Sequence, residues 1–335
     1  MNYDVYGIGN ALVDMEFKVT EDFFKDNNVE KGLMTLVEED RQDELTAALA
    51  KQNIKSIKSQ CGGSAANTMI GISQFGGKSF YSCKVANDET GKFYLNDLKE
   101  NNVTTKLTEA TAPNGTTGKC LVLVTPDADR TMNTFLGITA SYSEEELDLD
   151  ALKASKYLYV EGYLVASPTG QKAAVAAIKF ARKNNVKTSL TMSDPNMVKF
   201  FKSNLDEIMD GGIDLLFCNE DEAIEYTGKT KIDAAKEDLK KIANNFVITL
   251  GSKGAMIWDG KVFVNIEPFK TEAIDTNGAG DMFAGAFLYG INNGLSMATA
   301  GKLASRAASV VVSQFGPRLE KAQATEIHEQ VFNKI

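Results

Sequence analysis

Short apolar segments rich in β-branched residues alternate along the chain with longer segments whose apolar positions recur at the helical period. This alternation is typical of a largely parallel α/β sheet, in which helices connect successive strands. The predicted strands are Val5–Ile8, Ser79–Val85, Tyr157–Glu161, Thr188–Met192, Leu215–Cys218 and Phe246–Leu250. The predicted helices are Ser64–Gln74 with Ser64 as its cap, Pro168–Asn184, Ile232–Asn244, Gly278–Gly290, Ser296–Ser313 and Lys321–Phe332.

Two segments, 13–37 and 117–135, depart from this rhythm. Both contain stretches in which apolar and polar residues alternate with a period of two, flanked by turn residues, and this favours antiparallel strands that project from the main sheet. Because the segments lie far apart in the sequence, we expect them to pair with each other as a small lid. The chain shows neither a repeat nor a linker, so residues 1–335 are predicted to form a single domain carrying that lid.

Composition and charge narrow the class of protein. Hydrophobic residues make up 43% and charged residues 24% of the 335 residues, values typical of a globular protein. No apolar run approaches the roughly 18 residues of a membrane helix, and the first residues lack the features of a secretory signal. The net charge of −9 argues against nucleic acid or an anionic membrane as a partner.

The spacing of the cysteines and the single histidine argue against metal sites and against a serine hydrolase. The four cysteines, at positions 61, 83, 120 and 218, show no metal-binding spacing, so we expect reduced thiols in a cytoplasmic enzyme. His328 is the single histidine, which argues against a serine hydrolase or a histidine-rich metal site. The chemistry is therefore expected to depend on carboxylates, backbone amides and cations.

The strongest motif is Asp275-Thr276-Asn277-Gly278-Ala279-Gly280-Asp281, which leads directly into an apolar helix. Small residues at a helix N-terminus expose consecutive amides, and these bind a phosphate or a developing oxyanion. Asp281 would lie on the first helical turn, within reach of that anion. Taken alone, the same residues are also compatible with a glycine-rich turn in which Asp281 is an ordinary cap.

This motif resembles the C-terminal signature of the ribokinase-like (PfkB) family of carbohydrate and nucleoside kinases. The N-terminal signature of the family is similar to residues 62–67, GGSAAN, and the resemblance extends over nearly the whole chain. It implies a three-layer α/β/α fold with a mostly parallel central sheet and a β-sheet lid. It also implies transfer of the γ-phosphate of ATP to a hydroxyl, usually a primary one, with Asp281 as general base and the amides of Gly278, Ala279 and Gly280 stabilising the transferred group.

The resemblance assigns further residues to the nucleotide and its metal. Glu222 would organise Mg²⁺ on the phosphates through water, because Mg²⁺ gives up its water ligands reluctantly. The residues expected at the nucleotide are Asn219, Thr249, Gly251, Gly254 and Asn277. Taken without the resemblance, residues 219–222 also fit a solvated helix start and residues 251–254 a simple turn.

On the acceptor side, the resemblance places sugar or ribose hydroxyls against Asn10, Asp14, Gly62, Gly63, Ser64 and Asn67. Carboxylate and amide groups suit this task because each can bind two neighbouring hydroxyls. Arg130 resembles the lid arginine that some nucleoside kinases bring to the phosphates, although a solvated surface arginine is also compatible with its position.

Within the family, Asn277, Ser64 and the segment 9–14 are most similar to adenosine kinases, which would form AMP from the 5′-hydroxyl of adenosine. Leu12 and Tyr163 are then expected to contact the purine, whereas Leu164 stands where a second aromatic residue is expected. Glu161 and Asp194 add carboxylates that suit a sugar such as ribose or fructose. The alternatives are therefore another nucleoside, a sugar, or a non-catalytic sensor of a nucleotide or sugar. Dependence on a monovalent cation such as K⁺ and the choice between monomer and homodimer stay open.

Overall fold

The computed structural model describes residues 2–32, 34–127 and 129–332. Leu33 and Ala128, which fall in the two segments predicted to form the lid, lie outside the described residues, as do Met1 and residues 333–335. The strands are β1 Tyr3–Ile8, β2 Leu12–Lys18, β3 Met34–Leu36, β4 Lys58–Gly62, β5 Ser79–Ser82, β6 Thr117–Val124, β7 Arg130–Gly137, β8 Ser155–Glu161, β9 Lys187–Thr191, β10 Ile213–Asn219, β11 Ala243–Thr249, β12 Ala255–Trp258 and β13 Phe263–Ile266. The helices are α1 Glu21–Asp26, α2 Glu39–Lys51, α3 Ser64–Gln74, α4 Glu89–Glu100, α5 Leu149–Lys153, α6 Pro168–Lys183, α7 Pro195–Ile208, α8 Glu220–Thr227, α9 Ile232–Leu239, α10 Ala279–Asn292, α11 Met297–Val311 and α12 Lys321–Phe332.

The main sheet has eight strands in the order β13-β12-β11-β10-β9-β8-β1-β5. Pairing from β5 across to β11 is parallel, and the hairpin of β12 and β13 is added antiparallel at one edge. Buried apolar side chains of α3, α4, α10, α11 and α12 cover one face of the sheet, and those of α5 to α9 cover the other. This is the three-layer α/β/α arrangement expected from the sequence, and the fold prediction is confirmed.

The smaller sheet has five strands in the order β3-β7-β6-β2-β4. It contains the two segments in which the sequence predicts lid strands, but β2 pairs with β6 in parallel rather than antiparallel. The β4 strand, which the sequence does not predict, closes one edge antiparallel to β2. One face is covered by α1 and α2 through buried residues such as Phe23 and Leu45, which leaves the other face turned toward the main sheet.

Several element boundaries differ from the predicted ones. The predicted strand at 79–85 ends at Ser82, and the helix predicted over 232–244 ends at Leu239 because Ala243 already pairs with Ile213 in the main sheet. Gly63, with φ of +92°, caps α3 in place of Ser64, whose hydroxyl is free to bond elsewhere. None of the helices in the described part of the chain is long and apolar enough to cross a membrane.

Candidate active site

A cavity of about 370 Å³ lies between the two sheets, at the carboxyl ends of the parallel strands. Ligands of open α/β sheets bind at this edge. Most of the predicted site residues line it, from both signatures and from the intervening strands: Asn10, Leu12, Asp14, Gly63, Ser64, Asn67, Tyr163, Asn219, Glu222, Thr249, Asn277, Gly278, Gly280 and Asp281. Five others lie outside its described lining: Gly62, Arg130, Gly251, Gly254 and Ala279.

Asp281 lies in the first turn of α10 and is held by two side chains of α3. Ser64 donates a hydrogen bond to Asp281 Oδ1 at 2.6 Å, and Asn67 Nδ2 donates one to Oδ2 at 3.1 Å. The helices approach this closely because Gly285 has no side chain: a Cβ there would be 2.7 Å from the carbonyl oxygen of Thr68. Burial raises the pKa of Asp281 to about 6, and the bonds from Ser64 and Asn67 oppose that rise.

The loop 275–280, which we call the cradle loop, forms the start of α10. Gly278 caps the helix with φ of +73°, a conformation that costs glycine little. Gly280 is exposed, and apart from its chain neighbours and the backbone of its own helix no described atom lies within 4 Å of the position that a Cβ would take there, so a ligand has room beside its backbone. The Ala279 amide instead donates to Thr276 O at 3.3 Å, which turns it into the loop.

The acceptor side of the cavity depends on close backbone packing. A Cβ on Gly62 would be 2.2 Å from the Asp14 carboxyl group, and one on Gly63 would be 2.1 Å from the carbonyl oxygen of Asn10. Glycine at 62 therefore allows Asp14 to reach the cavity, although Gly62 itself does not line it. Burial raises the pKa of Asp14 to about 7, while the charge of Arg318 acts in the opposite direction.

The buried carboxylate of Glu161 positions the backbone on the acceptor side of the cavity. Its carboxylate accepts hydrogen bonds from the Asn10 backbone and side chain, both at 3.2 Å, and from the Ala65 amide at 2.8 Å. It thus ties the end of β1 to the start of α3, and burial raises its pKa to about 7. Asp194, the other carboxylate that suggested a sugar, caps α7 by accepting from the Asn196 amide at 2.7 Å.

Glu222 and Asn219 form a reciprocal cap at the start of α8. Glu222 Oε2 accepts from the Asn219 amide and Oε1 from Asn219 Nδ2, each at 2.9 Å. Burial raises the pKa of Glu222 to about 7, and the nearby charges of Asp194 and Asp221 add to the rise. A cation would stabilise the ionised form.

This donor chemistry fits Mg²⁺ bound through water. The donors are oxygen atoms, which Mg²⁺ prefers, and the described residues contain no cluster of three or more His, Cys, Asp or Glu that could enclose a metal. The residues therefore suit an ion that arrives with a nucleotide's phosphates rather than one enclosed by protein ligands.

The predicted nucleotide residues lie along the adjoining edge of the sheet. Thr249 ends β11 and, like Asn277, lines the cavity. Gly251 has φ of +56° and Gly254 has φ of +91°, and the two glycines form the turn between β11 and β12. At Gly254 a Cβ would lie 2.0 Å from Ile266 O, so this glycine allows the close approach of β13.

Arg130, at the start of β7, points to the boundary between the two sheets. Its guanidinium contacts Glu16, with Nη1 3.3 Å from Oε1, and also contacts the Asp275 carboxylate. The side chain is 9% exposed, so the alternative of a solvated surface arginine does not describe its surroundings.

The far end of the cavity is apolar. Leu12 and Tyr163, both predicted, meet a group of side chains that the sequence analysis did not assign to the site: Met34, Leu36, Met132, Leu136, Ala166 and Met197. Four of these belong to the smaller sheet. Their signal in the sequence is the period-2 pattern, but the pattern does not show which face of the strands meets the cavity.

Comparison with known proteins agrees with this architecture. A model of the pfkB family of carbohydrate kinases matches residues 32–323. The structure of an adenosine kinase from Sinorhizobium meliloti is 32% identical and has a TM-score of 0.90, covering 98% of this chain and 100% of that one. A probable sugar kinase from Rhizobium etli is 30% identical with a TM-score of 0.88 and covers 98% of each chain.

Among sequences, the adenosine kinase of Saccharomyces cerevisiae is 26% identical over 334 residues, which cover 92% of this chain and 95% of that protein. The family match covers well over half of the chain and agrees with the fold and with both signatures. The chain therefore belongs to the pfkB family of carbohydrate kinases, phosphotransferases with an alcohol acceptor, and is similar to the adenosine kinases.

Proposed function

We propose that the protein transfers the γ-phosphate of ATP to the 5′-hydroxyl of adenosine and forms AMP. One observation carries the proposal: a single cavity joins Asp281 at a helix N-terminus, polar acceptor groups including Asp14, and an apolar end. Phosphoryl transfer needs mainly positioning and electrostatic stabilisation, and these are the properties that such a cavity supplies.

In this mechanism Asp281 accepts the proton of the attacking hydroxyl. Ser64 and Asn67 hold both oxygens of its carboxylate, which orients it toward the cavity. Its pKa of about 6 suits a base that is ionised at neutral pH yet takes a proton readily. The start of α10 directs its positive end at the transferring group, and Mg²⁺ near Glu222 would offset charge on the nucleotide phosphates.

The apolar end favours a nucleoside over a free sugar. Leu12, Met132 and Leu136 line it together with the ring of Tyr163. A purine would cover these side chains and pack against the ring, whereas a free sugar, which has less apolar surface and more hydroxyl groups, would leave more of them facing water. The ribose of a nucleoside would occupy the polar end beside Asn10 and Asp14.

The second candidate is phosphorylation of a sugar, supported by the similarity to the probable sugar kinase of Rhizobium etli. The carboxylates that suggested a sugar now support it less. Glu161 accepts three hydrogen bonds from the protein itself, and Asp194 caps α7.

A panel of acceptors tests the proposal directly. ATP consumption is measured with adenosine, other nucleosides, ribose and fructose, using the wild-type protein and the variant Asp281→Asn. We expect adenosine to give the highest kcat/KM, and we expect Asp281→Asn to lower kcat by about 10²–10⁴-fold with the KM for ATP nearly unchanged.

Exposed Asp233, which pairs with Lys236 on α9, provides the matched control. Asp233→Asn should retain wild-type turnover. Retention of more than about a tenth of kcat by Asp281→Asn would contradict the assignment of the base. Wild-type turnover no faster than that of Asp281→Asn would instead support a sensor.

The cellular location, the monovalent-cation requirement and the oligomeric state belong to the same proposal. The buried, free thiols of all four cysteines support a cytoplasmic location. A requirement for K⁺ is tested by replacing K⁺ with a large organic cation in the assay. The choice between monomer and homodimer is tested by light scattering.

A further inference from the structure

Arg130 links the smaller sheet to the cradle loop through two buried carboxylates. From β7 it reaches across β6 to contact Glu16 on lid strand β2, and it also contacts Asp275 in the cradle loop. The Glu16 and Asp275 side chains are 3% and 0% exposed, so this charged group of three is removed from water. Arginine suits the position because its planar guanidinium can meet two carboxylates at once.

The Asp275 carboxylate in turn holds the cradle loop in its conformation. Its Oδ1 accepts the Asn277 amide at 2.8 Å, and its Oδ2 accepts the Gly316 amide at 2.7 Å. The loop also packs on Pro317, because a Cβ on Gly278 would lie 2.1 Å from the Cβ of that proline. One carboxylate therefore joins the cradle loop, the segment at 316 and, through Arg130, the lid.

We propose that Arg130 is a positioning residue that acts through Asp275. When the lid lies over the cavity, Arg130 neutralises Asp275 and keeps its oxygens on the Asn277 and Gly316 amides, which gives the cradle loop its anion-binding shape. Closure of the lid and completion of the cradle are then one event. This inference rests on the proposed phosphoryl transfer but differs from a direct contact of Arg130 with phosphate, because it assigns the effect of the guanidinium to its ion pair with Asp275.

The charge of Asp275 explains why its contact with Arg130 affects both anion binding and stability. A carboxylate next to an anion site would repel an incoming phosphate unless a cation offsets it. An uncompensated buried carboxylate is also strongly destabilising, whereas removal of both partners of a buried pair is far less so. The coupling between Arg130 and Asp275 is therefore measurable in the unliganded protein.

The first experiment measures amide hydrogen exchange in the unliganded protein, and so is independent of any activity. Arg130→Gln should speed exchange at the Asn277 and Gly316 amides at least tenfold. Arg41→Gln, which removes an arginine bound to Glu44 on the lid helix α2, is the matched control and should leave both amides unchanged. Unchanged exchange in Arg130→Gln would overturn the proposal.

The second experiment is a double-mutant cycle with Asp275→Asn. We expect Arg130→Gln to lower kcat at least tenfold in the wild-type background but less than threefold in the Asp275→Asn background. Equal losses in both backgrounds would show that Arg130 acts directly on phosphate and would overturn the proposal. If Arg130→Gln does not fold, restoration of folding in Arg130→Gln/Asp275→Asn supports the coupling, and failure to restore it contradicts the coupling.

The two experiments separate this inference from the proposed function. A wild-type protein that transfers no phosphate to any acceptor would disprove the kinase proposal, while the exchange measurement would still report on the link between Arg130 and the cradle loop. Active wild-type protein with unchanged exchange in Arg130→Gln would disprove the link alone.

Discussion

At Asp281, burial and hydrogen bonding act in opposite directions on one proton. Burial raises the pKa of the carboxyl group to about 6, and the bonds from Ser64 and Asn67 favour the ionised form. A general base is active only when ionised, so kcat/KM is expected to rise with pH through about 6 and to level off above it. A pH profile of kcat/KM that is flat from pH 5 to 8 would contradict this role of Asp281.

Removal of the Ser64 hydroxyl should move that transition. Hydrogen bonds to charged groups contribute roughly 1.5–3 kcal/mol, which corresponds to about one to two pKa units. Because the bond from Ser64 lowers the pKa of Asp281, Ser64→Ala is expected to shift the acid limb of kcat/KM to higher pH by about that amount.

Ser73 on the same helix is the matched control, since its hydroxyl donates to Asn101 O at 2.6 Å. Ser73→Ala should leave the acid limb in place. An unchanged limb in Ser64→Ala would mean that Ser64 does not tune the base.

At the scale of elements, the start of α10 depends on two glycines that serve different purposes. Gly278 needs its φ of +73° and its contact with Pro317, whereas Gly280 faces open space. Gly278→Ala is therefore expected to lower the free energy of unfolding by roughly 2–4 kcal/mol, from left-handed strain and overlap together.

Gly280→Ala provides the comparison. It should keep the stability of the wild-type protein or raise it by about 0.5–1 kcal/mol, yet lower phosphoryl transfer because the new methyl group projects toward the cavity. Urea unfolding and turnover of both variants check this pair. Equal destabilisation by the two substitutions would contradict the separate roles.

For the whole molecule, the cavity concentrates carboxylates whose pKa values are raised. Burial raises the pKa to about 7 for Asp14, Glu161 and Glu222, and to about 6 for Asp281. The folded state thus binds protons that the unfolded chain has released. The resulting stability is present below the unfolded pKa values near 4 and is lost as pH rises through 6 to 7.

Stability should therefore decline between pH 5.5 and 8, by roughly 2 kcal/mol for each of Asp14, Glu161 and Glu222 and by about 1 kcal/mol for Asp281, if these groups titrate independently. Urea unfolding at the two pH values measures the change. Asp14→Asn removes one of the four groups and should flatten the dependence. Stability that is constant or increases over this range would contradict the raised pKa values.

Much of this architecture could be predicted from the sequence, because the relevant signals are local. Alternating apolar segments indicated the α/β layers, and the period-2 segments indicated the smaller sheet. The glycine motif at 278–280 indicated the start of α10, since exposed amides and left-handed backbone are properties of short stretches. The roles of Asp281 and Glu222 came from the family resemblance and stay predictions.

The features of the fold and site that the sequence did not predict depend on contacts between distant parts of the chain. Glu161 joins Asn10 to Ala65, and Arg130 reaches Asp275, pairs that no local pattern connects. The Ala279 amide turns into its own loop, and β4 completes the smaller sheet, because packing partners far along the chain fix these orientations.

The sequence by itself therefore determined the class of fold and the chemistry of the groups present, since periodicity and residue type are properties of neighbouring positions. Only the tertiary structure decided which carboxylates face the cavity, which are bound by the protein's own amides, and how the lid meets the cradle loop. The physical reason is that hydrogen bonding and burial, which set a group's charge state and direction, arise from residues brought together by folding.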